Sequence, residues 1–172
     1  AFNRRVNPDL SFRGFRHRGR PAAEGGNPDG WGIAWYGTAG LQVVKEPIAA
    51  VQSPMAAFIR DNPELRSPII LGHVRRASYG APAYVNTHPF YRVLDGRQYV
   101  FAHNGTLHNT AGFGMGEYRP VGTTDSERVF CHILNRILDR EAMDWTGEDY
   151  AWLEGLFREI NCDARNTFNC LM

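Results

Sequence analysis

Four short segments of the sequence carry polar residues whose types could together bind and activate a small substrate. They comprise residues 73–77, 87–90, 103–106 and 122–127. Arg75 offers a fixed cation, Asn104 with Gly105 a pair of N–H donors, and Asp125 a carboxylate at a predicted helix start. Such a set can hold a molecule with both an amine and a carboxylate beside a reacting carbonyl. No group that would attack that carbonyl is evident in these segments.

Each of these residues also has a simpler explanation. Arg75 follows a predicted buried strand, where its guanidinium could bind a substrate carboxylate through two parallel hydrogen bonds or pair with an Asp or Glu at the surface. Asn104-Gly105 after an alternating strand is a strong hairpin signal, although a tight turn could also present both donors. Asp125 is explained by its favourable interaction with the helix dipole, whereas the functional interpretation adds that an exposed carboxylate could bind an ammonium group.

The histidines and cysteines raise the question of a metal site or a thiol nucleophile. His73, His88 and His103 are widely spaced and lack the helical partner ligands of zinc motifs, so we predict no metal. We expect His88 and His103 to support strands and loops through ring hydrogen bonds. The cysteines, which are odd in number and match no metal-binding pattern, are expected to be buried, reduced thiols: Cys131, Cys162 and Cys170.

Size and charge narrow the class of protein. The chain has 172 residues, enough for one domain with a core, and shows no internal boundary. A net charge of +1 argues against a dedicated nucleic-acid binder, although the arginine-rich stretch from Arg4 to Arg20 could contact phosphates. No apolar run approaches 18 residues, and the first residues lack the apolar core of a secretory signal. We therefore predict a cytoplasmic protein that binds neither membrane nor nucleic acid.

The remaining pattern predicts an α+β protein, because strands occur in hairpins and helices occur in runs. Residues 11–30 are rich in Arg, Gly, Pro and Asn and are expected to form loops and turns. Predicted strands cover residues 31–36, 41–48, 68–77 and 98–103, with another starting at Thr167. Predicted helices start after Ser53, at a capping box formed by Thr124 and Glu127, and near Thr146.

In this order and near these separations, the four segments resemble the class II glutamine amidotransferase domain, most closely its compact stand-alone type. The likeness extends to residues 12–19, 27–34 and 119–127 and runs through nearly the whole chain. The resemblance implies the N-terminal-nucleophile fold, a four-layer αββα sandwich of mainly antiparallel sheets. Residues 1–172 would then form a single, partial domain of this type.

The resemblance also implies an activity. Members of the family hydrolyse the side-chain amide of glutamine: an N-terminal cysteine attacks, its own α-amino group acts as the base, and ammonia passes to an acceptor. The implied partners are glutamine and an unidentified acceptor, which could lie on a partner protein. No cofactor is implied, and the oligomeric state stays open.

Roles for eight residues follow from the resemblance. Arg75 would bind the α-carboxylate of glutamine, Asp125 would bind its α-ammonium, and Asn104 with Gly105 would form the oxyanion hole. Ser78 would add a hydroxyl contact to the substrate. Supporting positions would be His88, Asp29 and Trp31.

The sequence departs from the family pattern at its start. Ala1-Phe2-Asn3 resembles the segment that follows the family's cysteine by a few residues, and Ala1 has no nucleophilic atom. We expect the chain to be truncated at both ends, with the cysteine before Ala1 and further strands after Met172. Two alternatives remain: a non-catalytic amino-acid-binding domain of the same fold, and an amidohydrolase acting on an amide conjugate of glutamate.

Overall fold

Six strands and three complete α-helices make up the described part of the chain. The computed structural model describes Arg5, residues 17–140 and residues 143–172. The strands are β1 Trp31–Gly37, β2 Gly40–Glu46, β3 Ile70–Val74, β4 Phe90–Leu94, β5 Arg97–Thr106 and β6 Thr167–Leu171. The helices are α1 Pro54–Asp61, α2 Asp125–Asp139 and α3 Gly147–Ile160. Short 3₁₀ helices lie at Ala22–Glu24, Ala50–Gln52, Tyr84–Asn86 and Thr110–Gly112.

The strands form two antiparallel sheets of three strands each. The first sheet has the order β2-β1-β3, and the second has the order β4-β5-β6. In the first, Trp31 lies opposite Glu46 on one side and Val74 on the other. In the second, Phe101 pairs with Phe90 on β4 and Gly105 pairs with Phe168 on β6. The predicted β1–β2 hairpin and the mixture of helices with antiparallel sheets are thus confirmed.

Buried apolar side chains form three clusters, each shared by neighbouring elements. Trp31 and Ile33 on one face of β1 pack with Ala56 and Ile59 of α1. Ala34, on the opposite face of β1, packs with the second sheet in a cluster completed by Leu71, Val100 and Ala102. The largest cluster joins the second sheet to α2 and α3 and includes Phe90, Phe101, Phe130, Ile133, Leu134, Leu153, Leu156 and Ile160. The apolar residues that recur at helical spacing in α2 and α3 thus lie on the buried faces of these helices, as predicted.

Side chains fix the starts of α1 and α2. The Ser53 hydroxyl accepts a hydrogen bond from Ala56 N at 2.9 Å, with Pro54 in the first turn, as predicted. Thr124 likewise accepts from Glu127 N at 3.2 Å. Only this half of the predicted capping box forms, because the Glu127 carboxylate accepts from Gly122 N at 2.6 Å instead. Its other oxygen pairs with Arg92 at 2.6 Å, which ties α2 to β4.

The predicted turn at Asn104-Gly105 is wrong. Strand β5 continues through both residues to Thr106, because β6 pairs with it over residues 102–106. The predicted strand over residues 68–77 is shorter than expected and covers only β3.

Some predictions concern residues 1–4 and 6–16, which lie outside the described residues. These include the start of the chain at Ala1, the motif over residues 12–16, and the arginines Arg4, Arg13 and Arg16. Within the described remainder of the predicted loop, Ala22–Glu24 forms a 3₁₀ turn. None of the described helices has the length and apolar character needed to span a membrane.

Residues 87–89, hereafter the 87–89 segment, lie directly against β1. A Cβ on Gly32 would meet the carbonyl oxygen of His88 and would lie 2.8 Å from Pro89 Cδ. Gly30 has a φ of +140°, and a Cβ there would lie 3.0 Å from the Thr87 hydroxyl. Only glycine allows this approach at both positions.

From β2, Lys45 holds the same segment. Its ammonium group donates hydrogen bonds to the carbonyl oxygens of Thr87, at 2.7 Å, and Pro89, at 3.3 Å. The side chain is buried, and burial lowers the pKa of Lys45 to about 8, with Arg92 also lowering it and Glu127 opposing the shift. The two residues that flank His88 are therefore anchored by one cation.

Replacing Gly32 tests this packing. Gly32→Ala should lower the free energy of unfolding by about 1–3 kcal/mol, because the new methyl group collides with backbone rather than with a flexible side chain. The measurement is chemical denaturation of the purified protein. Gly155→Ala is the matched control: its Cβ meets nothing within 4 Å in α3, and it should stabilise by about 0.5–1 kcal/mol. Unchanged stability in Gly32→Ala would show that the 87–89 segment can move away freely.

Candidate functional site

All five residues predicted to contact the substrate, and the supporting residue His88, line one small cavity. Its volume is about 200 Å³, below the roughly 300–1,000 Å³ of pockets for drug-sized ligands, so it suits a molecule the size of an amino acid. The cavity lies where β3 ends, β5 passes and α2 begins. Its lining includes Arg75, Ser78, His88, Asn104, Gly105 and Asp125. Asp29 and Trp31 are not part of this lining.

Arg75 is a buried cation without a direct carboxylate partner in the described part of the chain. Only 3% of the residue is exposed, and no ion pair links it to an acidic side chain among the described residues. Its Nη2 donates to the carbonyl oxygens of Tyr79, at 2.7 Å, and Gly80, at 2.8 Å. Burial lowers the pKa of Arg75, opposed by Asp29 and Asp125, but arginine stays charged. Of the two interpretations left open by the sequence, a surface arginine paired with Asp or Glu is therefore wrong for the described part of the chain.

Asp29 fixes the chain around Arg75 without entering the cavity. Its carboxylate accepts from Ala77 N at 2.8 Å, and its own N–H donates to the Arg75 carbonyl at 3.0 Å. Its carbonyl lies 3.4 Å from Arg75 Nη1. Trp31 is more remote: it is fully buried in the cluster under the first sheet, and its indole N–H donates to Glu46 at 3.2 Å.

Asp125 is buried, contrary to the prediction of an exposed carboxylate. Only 7% of the residue is exposed. Its Oδ2 accepts a hydrogen bond from Leu107 N at 2.8 Å, and its Oδ1 lies 3.4 Å from the Ser126 hydroxyl. The start of α2 favours a negative charge there. The carboxylate keeps further acceptor capacity on the cavity side.

The Asn104 side chain is available to a ligand. No hydrogen bond of its amide group is found among the described residues, while its backbone carbonyl accepts from Asn169 at 3.3 Å. Gly105 has a φ of +152°, and a Cβ there would collide with the Thr167 carbonyl oxygen and lie 2.8 Å from His103 Nε2. Glycine is required at this position because β6 passes too close for a side chain.

His103, which also lines the cavity, joins three elements: β5, α2 and β6. Its Nε2 lies 2.9 Å from the Thr167 carbonyl oxygen, so it must donate. Burial lowers the pKa of His103 and keeps the ring neutral near pH 7, so Nδ1 accepts from the Ser126 hydroxyl at 2.9 Å. The prediction that His103 supports the structure through ring hydrogen bonds is confirmed.

The rings of His73, which is half-buried, and His88, which is buried, lie with their centroids 4.2 Å apart. His73 Nε2 lies 3.1 Å from the His103 carbonyl oxygen and must donate to it, and burial lowers the pKa of His73 to about 4. Both ring nitrogens of His88 lack a hydrogen-bond partner within the described part of the chain. The predicted ring hydrogen bonds of His88 are therefore wrong. In the same part of the chain, no three His, Cys, Asp or Glu side chains converge to form a metal site.

The cysteines stand apart from the cavity. Cys131 is buried and Cys170 half-buried, and burial raises the pKa of both thiols to about 11. At neutral pH such thiols hold almost no thiolate. Cys162 is exposed, which corrects the expectation that all three would be buried. None of the three lines the cavity.

Two residues around the site were not predicted from the sequence. Lys45 holds the 87–89 segment, and its only signal is that it is the single lysine of the chain. Ser126 orients His103, and a serine in the first turn of a helix carries no signal for that contact.

Comparison with known proteins connects this chain to a family. A model of the family described as class II glutamine amidotransferases matches residues 1–172. The chain is 40% identical over 171 residues to an uncharacterized protein of Methanocaldococcus jannaschii, covering 99% of this chain and 46% of that protein. It is 41% identical over 131 residues to YafJ of Escherichia coli, provisionally named a glutamine amidotransferase, covering 76% of this chain and 50% of YafJ.

A solved structure also resembles this chain. The chain resembles the crystal structure of a predicted glutamine amidotransferase from Pseudomonas aeruginosa, with a TM-score of 0.57 and 34% sequence identity. The likeness covers 83% of this chain and 55% of that one. The chain thus spans about half the length of the relatives that it matches.

Gly105→Ala tests the close contact between β5 and β6. The new methyl group would collide with the Thr167 carbonyl, so we expect β6 to separate, with amide hydrogen exchange over Thr167–Leu171 at least tenfold faster. Gly96→Ala is the matched control, since Gly96 also has a positive φ of +71° but open space around it. It should leave exchange in β6 unchanged. Equal protection of β6 in both variants would contradict the contact.

Proposed function

Because this chain belongs to the class II glutamine amidotransferase family, we propose that it binds glutamine and takes part in hydrolysing its side-chain amide. The nucleophile in this proposal is an N-terminal cysteine of the complete protein. One observation carries the proposal: Arg75 is a buried cation without a carboxylate partner among the described residues, and it faces the same cavity as Asp125 and the free Asn104 amide. A small zwitterion with an amide side chain matches those three groups.

The two charged groups suit the two charges of an amino acid. The Arg75 guanidinium can bind the α-carboxylate through parallel hydrogen bonds, while Asp125 accepts from the α-ammonium. Both protein groups are already buried, so the ligand supplies the opposite charges that the cavity lacks. Ser78, whose hydroxyl lies 3.2 Å from that of Thr106, adds a polar contact at the rim.

In the proposed reaction, the N-terminal cysteine attacks the amide of glutamine, and Asn104 and Gly105 stabilise the charge that develops. The thiol passes its proton to the α-amino group of the same cysteine, and sulfur attacks the side-chain carbonyl carbon. The oxygen that becomes negative is stabilised by the Asn104 amide and the Gly105 N–H, each donor being worth about 2.7–4 kcal/mol in comparable sites. Collapse breaks the C–N bond, and the amine's proton leaves with ammonia. Water then hydrolyses the thioester to glutamate and the free thiol.

Other features are consistent with this proposal. Three apolar clusters, one on each side of the first sheet and one between the second sheet and its helices, fit the four-layer αββα arrangement that we propose for the complete domain. The raised pKa values of Cys131 and Cys170 make them poor nucleophiles. The step needs no cofactor.

We further propose a cytoplasmic enzyme whose ammonia acceptor could lie on a partner protein.

The direct test is glutamine hydrolysis by the full-length protein. We expect it to release ammonia and to be inactivated by an electrophilic glutamine analogue, with the added mass on the N-terminal peptide. The measurements are an ammonia assay and peptide mass spectrometry. A label on Cys131, Cys162 or Cys170 would sink the mechanism. Glutamine binding by calorimetry without ammonia release would favour the non-catalytic alternative.

Arg75→Lys tests the carboxylate contact. The bidentate pair is lost while the charge is kept, so the KM for glutamine should rise about tenfold or more with a smaller change in kcat. Arg136→Lys is the control, because Arg136 lies on the exposed side of α2 and pairs only with Glu159 among the described residues. Steady-state kinetics of both variants would decide. An unchanged KM in Arg75→Lys would contradict the assigned contact.

A further inference from the structure

His88 is a buried polar side chain whose hydrogen-bonding capacity is unused. Only 4% of the residue is exposed, and neither ring nitrogen has a partner among the described residues. Buried polar atoms in native proteins almost always have partners, so an exception calls for a specific explanation. The ring lines the cavity that also holds Arg75, Asn104 and Asp125. The missing partner is therefore expected inside that cavity.

The ring and its backbone are held in place by neighbouring groups. Lys45 anchors the carbonyl groups of both residues that flank His88, and Gly32 lets the His88 carbonyl pack on β1. The ring itself lies between His73, at 4.2 Å between centroids, and Phe90, whose ring contacts it edge-on at 4.6 Å. Its orientation toward the cavity is therefore set before any ligand arrives.

The ring is also neutral. Burial lowers the pKa of His88 well below its usual value, and the neighbouring His73, His103, Arg75 and Lys45 lower it further. A neutral imidazole has one donor nitrogen and one acceptor nitrogen. Its neighbour His73 donates to the carbonyl oxygen of His103, the residue before Asn104. The His88 ring thus packs on a side chain that is hydrogen-bonded to the strand carrying Asn104.

The groups of the proposed reaction leave two buried ring nitrogens as candidate acceptors: the acceptor nitrogen of His88, and Nδ1 of His73, which also lines the cavity and lacks a partner among the described residues. Arg75 and Asp125 take the two charged ends of glutamine, and Asn104 with Gly105 takes the carbonyl oxygen. The α-amino group of the nucleophilic cysteine must keep its lone pair for the thiol proton, while its N–H bonds need an acceptor. Both rings meet that need without adding charge. His88 is the better candidate, because it is buried and neither of its ring nitrogens is used, whereas His73 is half-buried and its Nε2 already donates to the His103 carbonyl oxygen.

Building on the proposed function, we propose that His88 is a positioning residue: its ring accepts an N–H from the α-amino group of the nucleophilic cysteine. This hydrogen bond turns the amine's lone pair toward the thiol. No bond to His88 forms or breaks during the reaction. The ring acts by orienting the base rather than by taking the proton itself.

Kinetics of two variants test the role. His88→Phe keeps an aromatic ring but removes the acceptor, so kcat should fall about 10–100-fold while the KM for glutamine changes less than about threefold. His88→Gln restores an acceptor and should recover part of kcat. His132→Phe is the control, because His132 stacks on Phe113 at 4.4 Å, outside the cavity, and should keep full activity. Melting temperatures show whether each variant folds.

A second measurement separates this proposal from the proposed function. Cyanate at pH 7 carbamoylates the α-amino group of the full-length protein, and mass spectrometry confirms that Lys45 stays unmodified. We expect the ring ¹⁵N signals of His88, assigned with His88→Phe, to shift on carbamoylation while those of His132 do not. If no ammonia is released but His88 shifts, the proposed function fails and the contact stands.

Two results would overturn the positioning role. One is a His88 ring whose signals do not respond to carbamoylation. The other is a His88→Phe variant that loses thermal stability and raises the KM in proportion to its loss of kcat, as expected for a packing residue alone.

Discussion

The contact between the 87–89 segment and β1 determines where the cavity forms. Gly30 and Gly32 have no side chains, so the segment can lie directly on the strand, and Lys45 fastens it from β2. Phe90 follows at once and begins β4 of the second sheet. The contact therefore links the two sheets and brings His88 to the same place as the ends of β3 and β5. A side chain at Gly32 would displace all of these at once.

The charge inside the cavity depends on how arginine and histidine respond to burial: arginine stays protonated, whereas histidine becomes neutral. Burial lowers the pKa of His73, His88 and His103, so these rings are neutral near pH 7. Arg75 keeps its charge under the same conditions. Among the described residues, backbone carbonyls rather than a carboxylate contact the guanidinium, so its charge is not compensated by a direct ion pair there. A ligand carboxylate can supply that compensation without first breaking an ion pair.

Local sequence patterns predicted the elements whose partners are near in the chain. Ser53 and Pro54 marked the start of α1, and the β1–β2 hairpin followed from alternation around a four-residue turn. The prediction failed at Asn104-Gly105, because β6 is more than 60 residues away and no local rule indicates that it will pair there. The two residues form a strong turn signal only when no such partner exists.

The burial and the contacts of residues around the site could also not be predicted from the sequence. Asp125 was expected at the surface because a carboxylate in the first turn of a helix usually is. In the structure it is buried, and Leu107 N donates a hydrogen bond to it. Glu127 was expected to cap its own helix, but Gly122 and Arg92 bind its carboxylate more closely. The unpartnered nitrogens of His88 depend on which groups are absent from around the ring. Such an absence has no local signature in the sequence.

The single lysine of the chain has one more consequence. Every other basic side chain is arginine or histidine, and Lys45 is only 8% exposed beneath the 87–89 segment. In the folded chain an amine-reactive reagent can reach its ε-amino group only when the segment lifts from β2. The extent of Lys45 modification therefore reports how often this segment opens, and this chain contains no other lysine side chain to add background.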